Sequence, residues 1–292
     1  MSKMFQIKLG DNINKIPPNK IGIDMGQTLS KFAYREGNEI ILTTFPALTN
    51  ISTLDKFLKS KKSQFNNFNF TGGKSFDLYK EYSKGFESIL INEFEANVRG
   101  IEFLYKLEKS EELSRSLIVT IGTGTSIVLL NDKIIHLGGS ALGGGFFMGI
   151  IKILFNMNDY FEAIDLAKKG NRYNVDLKVS DIYSPEDNRV DLLFREFTAA
   201  SLGKIDERFN INSLSKEDFL SSIVCMIGEN LGSIATTMAV NNEVNNIVFC
   251  GGFLIENRVL RKIVSLLCKV KKKKAIFLKN SEFCAAIGAL LA

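Results

Sequence analysis

The sequence lacks any run of the roughly 18 consecutive apolar residues that a membrane-spanning helix needs. Its first twenty residues are polar and include Pro17-Pro18, which predicts a short extension before the first strand and not a signal peptide or an anchor. Cysteine is scarce, and its wide spacing in apolar segments favours buried thiols over disulfides or a zinc site: Cys225, Cys250, Cys268 and Cys284. We therefore expect a cytoplasmic protein with no membrane partner.

A large excess of charge is also missing, since the net charge is only +5. Much of this excess lies in Lys269 and the run from Lys271 to Lys274, just before a strand-like apolar segment. A short lysine run without interleaved aromatic residues is typical of a solvated loop, so we expect no nucleic-acid partner. The length of 292 residues allows two domains of ordinary size or one large α/β unit.

What the sequence does contain is one pattern that occurs twice. A strand-like segment ends in Asp24-Met25-Gly26-Gln27-Thr28 and continues into a hairpin, and a second such segment ends in Gly122-Thr123-Gly124-Thr125-Ser126 before another hairpin. Aligning Gly26 with Gly124 places Asp24 over Gly122. Glycine lets backbone N–H groups approach a ligand, and hydroxyl groups add donors, so each turn is a candidate phosphate cradle. Two facing cradles predict one nucleotide held between two lobes.

A third glycine-rich segment, Leu142-Gly143-Gly144-Gly145, leads directly into an apolar helical stretch from Phe146 to Asn156. Unpaired N–H groups and the helix dipole at such a start favour a phosphate. The repeated strands, helices and glycine turns predict an α/β, two-lobed fold like that of actin, sugar kinases and heat-shock ATPases, a ribonuclease H-like fold with duplicated mixed β-sheets flanked by helices. We predict an extension over residues 1–19, an N-terminal lobe over residues 20–112 and a C-terminal lobe over residues 113–292.

The chain resembles the type II pantothenate kinases from about Lys20 to Ala292. The resemblance rests on segments in the order of that family: 24–31, 122–126, 142–146, 170–183, 198–203 and the ending 286–289. It implies ATP-dependent phosphorylation of the primary hydroxyl of pantothenate, the first step toward coenzyme A, with Mg²⁺ as the metal. It also implies a homodimer, formed through the long helix predicted from Phe219 to Val240.

The resemblance further assigns site residues. Glu93, in Glu93-Phe94-Glu95, corresponds to the catalytic acid of the family, and a carboxylate is the group that phosphoryl transfer needs to receive a hydroxyl proton; the role of Glu95 stays open. Asp24 would orient Mg²⁺ through its water shell, and Lys31 would neutralise phosphate charge. Contacts with pantothenate are implied for Glu93, Thr123, His136, Thr198 and Ala199. Contacts with ATP are implied for Asp24, Met25, Gly26, Gln27, Thr28, Leu29, Ser30, Lys31, Thr123, Gly144, Gly145, Phe146, Phe147, Met148, Tyr160 and Gly251.

The chain departs from the family pattern at two positions. Gln27 replaces a glycine of the first phosphate turn. His136 replaces an arginine that is expected to grip the carboxylate of pantothenate, and an imidazole lacks the permanent charge and the two-pronged geometry of a guanidinium. Either another cation such as Arg172 compensates for this change, or the affinity for pantothenate is weakened, or the acceptor shifts toward a pantetheine-like molecule.

Two alternatives remain open at this stage. A kinase of N-acetylhexosamines or other sugars would share the fold, and a substrate panel would separate it from a pantothenate kinase. A nucleotide-binding subunit with impaired catalysis is supported only by Gln27 and His136. The retained Glu93 and Asp24 oppose it, because a protein that only binds nucleotide has no need of a positioned base.

Overall fold

A computed structural model describes residues 4–9, 16–46, 56–60, 64–189 and 195–292. Its first sheet has six strands in the order β1-β4-β3-β2-β5-β6, with β2, β5 and β6 parallel to one another and the remaining pairs antiparallel. The strands are β1 (Met4–Lys8), β2 (Lys20–Met25), β3 (Leu29–Glu36), β4 (Glu39–Pro46), β5 (Asn67–Thr71) and β6 (Glu87–Leu90).

The second sheet has five strands in the order β13-β12-β7-β8-β9, in which β7, β12 and β13 are parallel and β8 and β9 form an antiparallel meander. A short pair, β10-β11, lies apart from it. The strands are β7 (Ser116–Ile121), β8 (Thr125–Leu130), β9 (Ile134–Ser140), β10 (Leu177–Lys178), β11 (Thr198–Ala200), β12 (Asn246–Cys250) and β13 (Lys274–Phe277). Each large sheet therefore begins with a strand–turn–strand unit, as the repeated sequence pattern predicts.

The helices begin where polar side chains can accept hydrogen bonds from otherwise unpaired N–H groups. Asn92, Asp159, Ser215 and Asn257 cap four of them in this way. The described helices are α1 (residues 56–60), α2 (Phe76–Tyr82), α3 (Glu93–Lys109), α4 (Gly144–Phe155), α5 (Tyr160–Lys169), α6 (Lys216–Asn241), α7 (Arg258–Val270) and α8 (Cys284–Leu291).

The sheets and helices stack in five layers around three apolar cores. One core lies between the first sheet and helices α1 and α2, and another lies between the second sheet and helices α4 to α7. The third core contains side chains of both sheets together with those of α3 and α8. The middle helical layer is thus shared, and the last helix of the chain covers the first sheet.

Close packing in this middle layer depends on three glycines. A Cβ atom on Gly288 would lie 1.8 Å from the carbonyl oxygen of Ala96, and one on Gly100 would lie 1.9 Å from that of Cys284. A Cβ atom on Gly22 of β2 would lie 2.1 Å from the carbonyl oxygen of Ala286. A run of small residues such as that from Ala285 to Ala289 predicts close packing against a neighbour, and here the neighbours are α3 and the first sheet.

Three sequence predictions need correction. The predicted N-terminal extension contains strand β1, which pairs with β4 at the edge of the first sheet. The sequence from Phe86 to Leu107 has a helical pattern, but the helix begins only at Glu93, because Glu87–Leu90 pairs with β5 as strand β6. The alignment of Gly26 with Gly124 is wrong by two residues, since β2 ends at Met25 and β7 ends at Ile121, which makes Gly122 the counterpart of Gly26. Of the helix predicted over residues 52–62, residues 52–55 and 61–62 lie outside the described part.

Helix α6 is, within the described residues, the one helix long and apolar enough to cross a membrane. Its most apolar window is 56% buried inside the protein, and its side chains form much of the second-sheet core. The four cysteines are free and buried, as predicted.

Candidate active site

Two tight turns follow the central strands β2 and β7. In the first turn the N–H of Gly26 donates to the carbonyl oxygen of Leu29 at 3.1 Å, and in the second the N–H of Gly122 donates to that of Gly124 at 2.8 Å. The exposed hydroxyl oxygens of Thr28 and Thr123 lie 2.9 Å apart. The turns of the two lobes therefore face and touch each other.

A cavity of about 670 Å³ opens beside these turns, within the size range of ordinary ligand sites. It is lined from both sides, by the β2–β3 turn and the start of α3 on one side and by the β7–β8 turn and the start of α4 on the other. Among the residues predicted from sequence, those that line it are Asp24, Gly26, Gln27, Thr28, Leu29, Lys31, Glu93, Thr123, Gly144, Gly145, Met148, Tyr160 and Gly251.

Asp24 and Lys31 form an ion pair at the base of this cavity. They lie opposite each other on β2 and β3, with Lys31 Nζ 3.4 Å from Asp24 Oδ2. Burial raises the pKa of Asp24, and the charge of Lys31 partly offsets this rise. Burial is the largest single influence on Lys31 and opposes its charged form, but the charge and hydrogen bond of Asp24, together with the nearby Cys284 and Glu282, raise the pKa of the ammonium group overall. Lys31 therefore keeps its positive charge in the cavity.

Glu93 is the first residue of α3, where Asn92 caps the helix by accepting a hydrogen bond from the N–H of Phe94 at 2.9 Å. Glu93 is exposed where it lines the cavity, yet the protein around its carboxylate removes part of its hydration. This desolvation raises the pKa of Glu93 above its ordinary 4.5; the charge of Asp24 raises it further, and that of Lys31 lowers it. A carboxylate with a raised pKa is a stronger proton acceptor, as a general base requires.

The glycine-rich start of α4 is hydrogen-bonded to the turn between β7 and β8. The N–H groups of Gly144 and Gly145 donate to the carbonyl oxygens of Gly122 and Thr123 at 2.8 and 2.9 Å. The expectation that this glycine run offers unpaired N–H groups is therefore wrong for these two residues. Instead, the start of α4 fixes the position of the second phosphate turn.

Tyr160 and Gly251 shape the far end of the cavity. The hydroxyl of Tyr160 lies 2.9 Å from the carbonyl oxygens of both Phe253 and Ile255, and burial raises the pKa of this phenol. Gly251 has a φ of +105°, and a Cβ atom there would lie 2.5 Å from the carbonyl oxygen of Ile121. This wall is thus built closely onto the end of β7.

Several predicted residues do not line the cavity. The side chains of Met25 and Phe147 lie in the cores of the first and second lobes. His136 stacks on Phe94 with ring centroids 4.1 Å apart. The other predicted residues outside the lining are Ser30, Phe146, Thr198 and Ala199; the last two belong to β11.

Arg172 cannot compensate for the histidine at position 136, because its guanidinium already pairs with two carboxylates. Nε donates to Asp176 at 2.6 Å, and the two terminal nitrogens donate to Glu229 at 2.8 and 3.1 Å. Asp176 is fully buried and also accepts hydrogen bonds from Ser222 and from the N–H of Leu202. This network fixes the segment around Arg172 to helix α6.

Sequence reasoning missed the cavity residues that come from the middle helical layer: Phe94, Asn97, Glu282, Cys284 and Ala285. Asn97 accepts a hydrogen bond from the thiol of Cys284 at 3.0 Å. One signal was present, since Asn97 lies four residues after Glu93 and so shares its helix face. Glu95, in contrast, pairs with Arg99 at 2.5 Å outside the cavity.

The cavity suits Mg²⁺ bound together with a nucleotide and not a metal held by protein alone. Across the described ranges no cluster of three or more His, Cys, Asp or Glu side chains could hold a metal ion. Three carboxylates, those of Asp24, Glu93 and Glu282, do line the cavity. Mg²⁺ in nucleotide sites takes one or two carboxylates and completes its shell with water and phosphate oxygens, so these donors fit it.

Comparison with known proteins identifies a matching family and several relatives of this chain. The Fumble family model matches residues 39–292. The type II pantothenate kinase of Bacillus cereus (strain AH820) is 34% identical over 280 residues, which cover 93% of this chain and 96% of that protein. The type II pantothenate kinase of Oceanobacillus iheyensis is 34% identical over 272 residues, which cover 93% of this chain and 98% of that protein.

Two solved structures share the fold. A ROK family protein from Streptococcus pneumoniae TIGR4 in complex with sucrose has a TM-score of 0.55 at 13% identity, covering 93% of this chain and 96% of its own. The ROK hexokinase from Thermus thermophilus has a TM-score of 0.55 at 10% identity with the same coverage. At such identities the likeness concerns the fold alone, and it confirms the predicted α/β fold of the sugar-kinase type.

Proposed function

Because this chain belongs to the type II pantothenate kinase family, which the Fumble model describes, we propose that it transfers the γ-phosphoryl group of ATP to the primary hydroxyl of pantothenate. The products are ADP and 4′-phosphopantothenate, and the reaction is the first step toward coenzyme A. One observation supports this function above the others. The two touching phosphate turns and Glu93 line a single cavity, as a reaction between a triphosphate and an alcohol requires.

Glu93 acts as the general base in this proposal. Phosphoryl transfer proceeds largely through positioning and charge neutralisation, and a carboxylate then receives the proton of the attacking hydroxyl. Lys31 lies at the base of the same cavity with its charge retained, so it balances negative charge on the transferred group. The hydroxyl of Thr123, at the tip of the second turn, donates to a phosphate oxygen or to the acceptor.

The triphosphate lies across the two turns, and the adenosine extends toward Gly251 and Tyr160, which line the same cavity. Asp24 would hold Mg²⁺ through water, and the metal would supply charge neutralisation to the triphosphate. The first phosphate turn differs from the family pattern at Gln27, which is exposed and lines the cavity. Its side-chain amide is placed to donate to a phosphate oxygen.

We also propose a homodimer in the cytoplasm, with lobes divided near residue 112. Thr198 and Ala199 belong to β11, away from the cavity of their own protomer. A contact of these residues with pantothenate therefore requires either a neighbouring protomer or a movement of the β10–β11 segment. Light scattering on the purified chain measures the oligomeric state directly, and a monomeric mass would contradict the dimer.

The replacement Glu93→Gln tests the proposed base. With ATP, Mg²⁺ and pantothenate, we expect the wild type to release ADP and form phosphopantothenate, and E93Q to lose about 10²- to 10⁴-fold in kcat, the usual contribution of a general base. Binding of ATP, measured by calorimetry, should persist because the phosphate turns are unchanged.

Glu95→Gln is the matched control, since Glu95 lies on the same helix and pairs with Arg99 outside the cavity. We expect E95Q to keep a kcat close to that of the wild type. Full turnover by E93Q would refute the role of Glu93. Turnover of N-acetylhexosamines or glucose without turnover of pantothenate would refute the proposed acceptor.

A further inference from the structure

Phe94 and His136 form a parallel aromatic stack beside the proposed base. Their ring centroids are 4.1 Å apart and their planes differ by only 8°. This separation is shorter than the roughly 4.5–7 Å at which most aromatic pairs lie. Phe94 follows Glu93 on α3, whereas His136 belongs to β9 of the second sheet. The stack therefore joins the helix that carries the base to the opposite sheet.

The two rings differ in their relation to the cavity. Phe94 lines the cavity, but His136 does not. No hydrogen bond or ion pair links the imidazole of His136 to any other side chain or backbone group in the described part of the chain. One face of the imidazole packs on Phe94, and His136 is not among the residues that line the cavity.

The cavity also lacks a free cation that could select a carboxylate. Among the described residues that line it, Lys31 is the only cationic one, and it is paired with Asp24. Arg172 is held by Asp176 and Glu229.

The side chain that follows Glu93 and lines the cavity is the aromatic ring of Phe94. In pantothenate the primary hydroxyl lies next to a carbon that carries two methyl groups, and apolar methyl groups pack favourably against an aromatic face.

We propose that Phe94 packs against the paired methyl groups of the acceptor, and that His136 is a positioning residue that holds Phe94 in place without touching the acceptor carboxylate. This inference rests on the proposed function and identifies how the acceptor is recognised. It assigns acceptor affinity to the shape of the stack and not to the charge of the histidine.

The test compares His136→Ala with His136→Phe, using pantothenate and its neutral alcohol analogue pantothenol as acceptors. We expect H136A to raise KM about threefold to tenfold for both acceptors, as loss of one aromatic pair gives, with KM for ATP unchanged. H136F restores the stack without a titratable group, so it should recover most of this loss for both acceptors.

A double-mutant cycle shows whether His136 acts through Phe94. Phe94→Leu removes the ring, and we expect H136A to have little further effect on acceptor KM in that background. Ile135→Ala is the control, since Ile135 is the neighbouring residue on β9, is exposed and points to the opposite face of the strand. Thermal unfolding of each variant identifies any that fail to fold, and F94L tests the stack independently of position 136.

Three results would overturn the inference. If H136F raises KM for pantothenate but not for pantothenol, the histidine recognises the carboxylate itself. If a folded H136A leaves KM unchanged for both acceptors, or is additive with F94L, the stack has no positioning role. If the wild type phosphorylates neither acceptor, the proposed function fails and this inference fails with it. The first two results, in contrast, are seen with an active wild type and contradict the inference alone.

Discussion

Glu93, Asp24 and Lys31 are three charged residues that line one cavity, and the charges of Asp24 and Lys31 act on the protonation of Glu93. The pKa of Glu93 is raised first by burial and next by the charge of Asp24, and it is lowered by the charge of Lys31. A general base works only when deprotonated, so activity is lost as the pH falls through this raised pKa. The acid limb of the pH profile should therefore lie above the ordinary 4.5 of a glutamate.

Replacing the two neighbours of Glu93 should move this acid limb in opposite directions. Asp24→Asn removes a negative charge, which lowers the pKa of Glu93 and shifts the midpoint of kcat/KM to lower pH. Lys31→Met removes a positive charge, which raises the pKa and shifts the midpoint to higher pH. Both variants should lose rate, by about tenfold or more, because we propose that both residues serve the phosphate site. The measurement is therefore the midpoint and not the rate.

The pH profiles of wild type, D24N and K31M, recorded at saturating ATP, provide the comparison. Shifts of the same sign in the two variants would show that another group sets the acid limb. A limb that disappears in E93Q but shifts as expected in the other two would identify Glu93 as the titrating residue.

At this scale the sequence motifs predicted part of the site. Asp24, Lys31 and Glu93 were found because each belongs to a short segment with a recognisable pattern, and all three line the cavity. Phe94 against His136, and Asn97 against Cys284, were not predicted as contacts. Asn97 and Cys284 are 187 residues apart in the chain, and no local pattern encodes such a contact.

At the scale of elements, the hairpins were predictable because glycine turns between apolar strands are local signals. Strands β1 and β6 were missed because both are short edge strands whose pairing depends on partners distant in sequence. For the contact of α3 with α8, the small residues of α8 predicted close packing but did not show which element they pack against. Because Gly288 meets the backbone at Ala96, one turn after Glu93, this contact also fixes the start of α3.

Gly288→Ala should therefore destabilise the protein and reduce kcat together. The added methyl group would lie 1.8 Å from the carbonyl oxygen of Ala96, so α3 and α8 must move apart. Overpacking of this kind costs about 1–3 kcal/mol of unfolding free energy. The measurement is the urea unfolding midpoint, combined with kcat for pantothenate.

Gly149→Ala is the matched control, because Gly149 also lies in a helix but has open space where a Cβ atom would be. There the higher helix propensity of alanine should keep or raise stability, by up to about 1 kcal/mol. If G288A is as stable and as active as G149A, the α3–α8 contact does not position the base.

At the scale of the whole molecule, the shared middle layer argues against independent lobes. The core around α3 and α8 includes Ile40 and Leu42 of the first sheet together with Ile118 and Val248 of the second. The last helix of the chain covers the first sheet, so the two lobes that we propose to divide near residue 112 share the core between them. The two lobes should therefore unfold in one cooperative transition.

This expectation can be measured with one fluorescent reporter in each lobe, because the chain contains no tryptophan. Phe86 packs on the outer core of the first sheet and Phe155 on the core of the second, so F86W and F155W report on opposite sides of the molecule. We expect the two variants to give the same urea midpoint.

ATP, which we propose touches both turns, should raise both midpoints equally. At an ATP concentration one hundred times its Kd, the unfolding free energy should rise by about 2.7 kcal/mol. Two separate midpoints, or a rise confined to one reporter, would mean that the lobes are stable by themselves and that the middle layer does not couple them. Coincident midpoints would instead support a single shared core that holds α3, the turn after β7 and the final helix in their relative positions.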